Sequence, residues 1–137
     1  YNKSTRPAHC GRVSYLDACV VEEKSDEHEE IGERRFCAEE PLPPGKFIKF
    51  SNNTGYWDES HLDETLLRFT LFTFEATGGY LMLTDLQGVK VGSDFVLTDP
   101  AVLCNEILRF GRTNLGEKFM KRCMASTKAH MKEQGWM

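Results

Sequence analysis

The chain of 137 residues has no apolar run near the roughly 20 residues that a membrane-crossing helix needs, and no charged-then-apolar signal segment opens it. It also has no basic excess. Seventeen Lys and Arg stand against 21 Asp and Glu, a net charge of −4, so no field draws nucleic acid or an anionic membrane. Regular cysteine spacing is missing as well. Cys10, Cys19, Cys37, Cys104 and Cys123 are odd in number and irregularly spread, which argues against a secreted disulfide framework and predicts reduced thiols. His9, His28, His61 and His130 form no pair with metal-ligand spacing. Together these absences predict a soluble, cytoplasmic chain with neither a nucleic-acid nor a membrane partner. What is present, 40% hydrophobic and 11% aromatic residues, suffices for one core, and the length is too small for two ordinary domains.

The β-branched and aromatic stretch at 13–22 reads as a strand, followed by the acidic run 22–30, EEKSDEHEE, as a solvated hairpin loop, and a second strand at 33–39. Three prolines and a glycine in Glu40-Pro41-Leu42-Pro43-Pro44-Gly45 exclude helix and mark a rigid connector. The alternation FIKF at 47–50 is a short strand. Ser60 is placed to cap a helix with Asp63 and Glu64 in its first turn and Leu62, Leu66, Phe69 and Thr73 on one stripe, ended by Gly78-Gly79. The run YLMLT at 80–84 reads as a buried strand that delivers Asp85 at its end, and polar residues then cluster through Asp94. Asp99-Pro100 is expected to open another helix, with Val102, Leu103, Ile107 and Phe110 on its apolar face. The last helix has Asn114 as cap, Glu117 in capping-box spacing, an apolar face of Leu115, Phe119, Met120, Cys123, Met124, Thr127 and Met131, and Gly135 as stop. Strands first and helices later predict an α+β fold.

Three oxygen-bearing side chains draw attention. Asp85 and Gln87 follow the apolar strand two residues apart, so they face one side if extended, and Asp99 comes shortly after. Mg²⁺ on nucleotide phosphates commonly takes one or two protein oxygens, so this set suffices chemically; ordinary turn and cap roles for the same residues compete with that reading. The loop Gly111-Arg112-Thr113-Asn114-Leu115-Gly116 leads into a helix amino terminus, where free N–H groups favour an anion, although loop-plus-cap is the plainer account.

Taken in order, EEPLPPGKFIKFSNNTGYW (39–57), RFTLFTFEATGG (68–79), DLQGV (85–89), LTDP (97–100) and FGRTNLGEK (110–118) resemble the alpha-kinase family of atypical protein kinases. The resemblance implies a Mg²⁺- and ATP-dependent serine/threonine protein kinase whose partner is a protein substrate. Glu40 corresponds to the hinge residue near the adenine, Asp85 to the catalytic aspartate, and Gln87 and Asp99 to the Mg²⁺ ligands. Gly111, Asn114 and Gly116 belong to the family's glycine-rich loop near the peptide substrate, with Thr113 where a glycine is usual.

The same resemblance implies a partial domain spanning residues 1–137: hinge strands with the hinge at about 37–46, then a carboxyl-terminal lobe at about 47–137, largely an antiparallel sheet packed with helices. The family's amino-terminal lobe, with its phosphate-anchoring lysine, has no counterpart in the few residues before residue 13, so the isolated chain is expected to be inactive and the missing lobe is an expected partner. The alternative is a pseudokinase or interaction module. The family's structural zinc ligands fall on Leu71, Thr127, Ala129 and Glu133, none of them matching; no structural zinc is therefore expected, and Leu71 is expected to pack against Met120, Cys123, Met124 or Thr127.

Overall fold

In a computed structural model the described residues are all but 4, 18, 24–34, 40 and 42, and for 19–23 and 35–39 the backbone alone is described. The acidic loop and Glu40 thus lie outside the described residues. The stretch expected as one strand divides into β1 (Val13–Tyr15) and β2 (Cys19–Glu23), because the two pair with different partners. β2 pairs antiparallel with β3 (Arg35–Glu39) as a separate ribbon. β1 instead runs parallel to β7 (Asp94–Thr98), in a four-stranded sheet of order β1-β7-β6-β4 completed by β6 (Gln87–Val91) and β4 (Phe47–Lys49). The hairpin of β6 and β7 lies where polar residues mask the strand pattern; Val89, Phe95 and Leu97 are its buried apolar side chains.

A short 3₁₀ turn at Glu59–His61 holds Ser60, so the cap expected at Ser60 falls on Asp63, whose carboxylate accepts from the Thr65 amide at 2.9 Å. The helix it opens, α1 (Glu64–Ala76), buries Leu66, Leu67, Phe69 and Leu71. It ends where Gly78 and Gly79 adopt positive φ. β5 (Leu81–Thr84) follows and pairs antiparallel with β8 (Ala101–Cys104).

β8 replaces the helix expected after Pro100. Val102 and Leu103 lie in its ladder opposite Leu83 and Met82, while Ile107 and Phe110 stand exposed in the following loop rather than on an apolar helical face. A helix there would leave the inner edge of β5 unpaired beneath the core, and buried backbone groups require partners. The last helix, α2 (Gly116–Glu133), starts at Leu115 without a side-chain cap, and Glu117 pairs with Lys121 at 2.7 Å instead of closing a capping box.

Two apolar clusters form among the described residues. The larger joins Val13, Phe50, Trp57, Leu66, Phe95 and Leu97 to Leu71 and Met131; the smaller joins Met82, Leu103, Met120 and Cys123. Leu71 therefore shares its cluster with Met131 and the half-buried Met124, nearer the carboxyl end of α2 than Met120 and Cys123. Thr127 is buried and accepts the Trp57 indole N–H at 3.2 Å. Among the described residues no helix is long and apolar enough to cross a membrane.

Candidate active site

Register brings the three oxygen donors to one corner. Thr84 is paired with Ala101 at the end of the β5–β8 ladder, so Asp85, one residue beyond, and Asp99, two residues before, leave the ladder at the same end. Gln87 is paired with Thr98 across the β6–β7 ladder, and its amide N–H donates to the Asp99 carbonyl at 3.1 Å. That bond uses the amide nitrogen and directs the Gln87 carbonyl oxygen away from it.

Asp85 is held from below. Leu86 is fully buried, its carbonyl accepts from the amides of Phe50 (2.8 Å) and Ser51 (3.2 Å), and its own amide donates to the Ser51 hydroxyl at 3.0 Å. The end of β4 thereby fixes the chain on the far side of Asp85. Lys49 on the same strand places its ammonium 2.7 Å from Asp85 Oδ1. The FIKF alternation locates β4 in the sequence, but nothing local marks Lys49 as a partner of a residue so far along the chain.

Backbone conformation sets the corner apart. The non-glycine residues of positive φ among those described are Asp85 (58°), Asp99 (46°) and Phe110 (61°). Aspartate tolerates the left-handed region better than most residues, while a bulky Phe there is a genuine outlier, and such conformations gather at functional sites. Gly88 completes the DLQG turn for a different reason: a Cβ there would lie 2.1 Å from the Val96 carbonyl oxygen, so the two strands of the hairpin close only over glycine.

In the loop before α2, Asn114 is buried and fully engaged. Its Oδ1 accepts from the amides of Cys104 (2.9 Å) and Gly116 (3.0 Å), and its Nδ2 donates to the carbonyls of Glu106 (3.0 Å) and Arg109 (2.9 Å). Asn114 therefore braces the loop from within and has no polar valence left for a ligand, while Gly111 and Gly116 (both φ 79°) supply its bends. Thr113 carries no positive φ, so a side chain is tolerated where the resemblance expects glycine; its carbonyl accepts from Asn53 at 2.9 Å. The loop exposes Ile107, Leu108 and Phe110, with the Arg109 guanidinium over the Phe110 and Tyr80 rings.

A model described as the alpha-kinase family matches residues 1–130. The chain belongs to the alpha-kinase family. Over 120 residues, 88% of its length, it is 31% identical to eukaryotic elongation factor 2 kinase of Rattus norvegicus, of which it covers 15%. Over 99 residues it is 41% identical to transient receptor potential cation channel subfamily M member 7 of Homo sapiens, covering 5% of that protein. Among solved structures it is similar to a novel alpha kinase from Entamoeba histolytica, at 28% identity and a TM-score of 0.72, covering 82% of this chain and 48% of that one. It is likewise similar to the apoenzyme alpha-kinase domain of myosin-II heavy chain kinase A, at 27% identity and a TM-score of 0.72, covering 83% and 42%. The chain thus spans less than half of these solved chains and a small part of its curated relatives. The likeness extends to the fold, α+β, in which the described residues form one mixed sheet, two antiparallel ribbons and two α-helices.

The resemblance places the family's zinc ligands at Leu71, Thr127, Ala129 and Glu133. Leu71 lies in the apolar cluster, Thr127 takes the Trp57 N–H, and Glu133 is exposed beside His130 at 3.7 Å.

Proposed function

We propose that the protein containing this chain is a cytoplasmic protein kinase that transfers the γ-phosphoryl group of ATP to a Ser or Thr hydroxyl of a protein, with Asp85 accepting the hydroxyl proton as the new O–P bond forms and ADP departs. The observation that carries the reading is the meeting of Asp85, Gln87 and Asp99 at one corner with two of them in left-handed backbone. Kinship supports it: myosin-II heavy chain kinase A is solved in complex with AMP-PNP at a TM-score of 0.71 to this chain.

The residues fit Mg²⁺. The Gln87 carbonyl oxygen and the Asp99 carboxylate are hard oxygen donors, and no described residue makes a hydrogen bond or ion pair to that carboxylate. When bound, Mg²⁺ neutralises charge on the phosphates. Asp85 is anchored through Leu86 and oriented by Lys49, whose ammonium also adds positive charge where the transferred group accumulates negative charge. We assign Glu40 to the adenine side of the ATP site on the resemblance alone, and the loop of Gly111, Asn114 and Gly116 to the substrate side, where Asn114 acts as a brace. An amino-terminal lobe joined to this chain would supply the rest of the phosphate cradle.

The test is phosphate transfer from labelled ATP to a Ser/Thr-containing protein by a polypeptide that joins this chain to an amino-terminal lobe. Asp85→Ala is expected to lower turnover by about two orders of magnitude or more while the unfolding midpoint stays put. Turnover unaffected by Asp85→Ala removes it from the base role. Nucleotide binding without any turnover favours the second reading, an interaction module.

A further inference from the structure

At the end of the β6–β7 hairpin opposite the Asp85 corner, the segment before β1 is fastened to the start of α1. Gly11 N–H donates to the Thr65 hydroxyl at 3.0 Å, and Arg12 N–H donates to the Asp94 carboxylate at 2.7 Å. This brings together three side chains of different donor type, His9, Cys10 and Glu64, with one ligand atom of each within 4.8 Å of the others. We propose that His9, Cys10 and Glu64 form a binding site for Zn²⁺ or a cation of similar chemistry that clamps the segment before β1 onto α1.

The donor set selects the metal. A thiol, an imidazole and a carboxylate suit borderline-soft Zn²⁺, whereas Mg²⁺ takes oxygen ligands in near-octahedral geometry. Bond lengths of about 2.0–2.3 Å in a tetrahedral site put donors about 3.3–3.8 Å apart, so the trio closes by a movement of about 1 Å, and the exposed His9 ring is free to make it.

The supporting groups favour that closure. Arg68 Nε donates to Glu64 Oε1 at 2.6 Å and turns the second oxygen, Oε2, to within 3.1 Å of His9 Nε2. Arg6 donates to the Cys10 carbonyl and fixes the backbone that carries the thiol. Binding releases the Cys10 thiol proton to solvent, and the resulting thiolate and carboxylate balance the two charges of the metal. His9 lies at the surface, leaving a fourth position for water. Adjacent residues supply two ligands, but the third lies 55 positions from His9, so no sequence spacing reveals the set.

Co²⁺ titration of the chain under reducing conditions tests the site. The expected result is one equivalent bound with the visible bands of a tetrahedral site and a thiolate-to-cobalt charge-transfer band, both abolished by excess Zn²⁺. Cys10→Ser should remove the charge-transfer band. His9→Gln, a surface change that leaves the fold intact, should weaken binding about tenfold or more, by analogy with the loss seen on removing even an indirect metal contact. Absence of a charge-transfer band overturns the proposal, as does a band that survives Cys10→Ser or an affinity indifferent to His9→Gln.

Discussion

Single residues at the candidate site work through backbone position as much as through side-chain chemistry. Gly88 holds β6 against β7 because any Cβ meets the Val96 carbonyl, so Gly88→Ala is expected to destabilise by about 2 kcal/mol or more in a denaturant titration and to disturb Gln87 next to it. Asn114→Ala leaves the Cys104 and Gly116 amides and two carbonyls without their partner. A loss of about 2–3 kcal/mol follows, read from the same titration, whereas a residue that served substrate alone would leave stability unchanged. Burial pushes the Cys123 thiol from 9.0 up to about 11. The folded state thus holds that proton more tightly than the unfolded chain, and the stability so gained is complete below about pH 9 and lost as pH rises to about 11. Thermal unfolding followed over this range should show a shallower decline in Cys123→Ala than in the parent chain.

At the scale of elements, the contact between α1 and α2 is apolar where the family resemblance led to an expectation about zinc. Leu71 from α1 and Met131 from α2 share one cluster, and Trp57 ties the loop after β4 to Thr127. Leu71→Ala should cost about 2–5 kcal/mol through the cavity it leaves, measured by chemical unfolding. Chelator treatment of the wild-type chain should leave this contact intact, since apolar packing makes it. The legibility of the elements followed their local signals. α1 was readable from its stripe of Leu66, Phe69 and Thr73, and α2 from the long spacing that ends at Met131. Asp99-Pro100 suits a turn entering a strand as well as a helix start, and the otherwise vacant edge of β5 selects the strand β8. The β6–β7 hairpin carries no alternating apolar pattern, because its turn at Gly92 lies among polar residues and the last two residues of β6, Lys90 and Val91, are exposed.

For the molecule as a whole, the first residues act as a strap across the sheet and α1. Asn2 bonds to Val13 in both directions, at 2.6 and 3.0 Å, and the Tyr1 ring packs on Phe69 and Phe72. Removing residues 1–12 should therefore lower the thermal midpoint and broaden the transition, with β1 losing its protection from hydrogen exchange first. The sequence by itself determined the α+β class, the helices α1 and α2 and, through the resemblance carried by DLQG and LTDP, the choice of Asp85, Gln87 and Asp99 as candidates, because these depend on local pattern and on residue identity in order. Tertiary structure alone decided that Asp85 and Asp99 leave one ladder at the same end, that Lys49 reaches Asp85, that Asn114 faces inward, and that Glu64 joins His9 and Cys10. Each of those depends on which strands and helices pair across long stretches of chain, and pairing is settled by burying the whole core together.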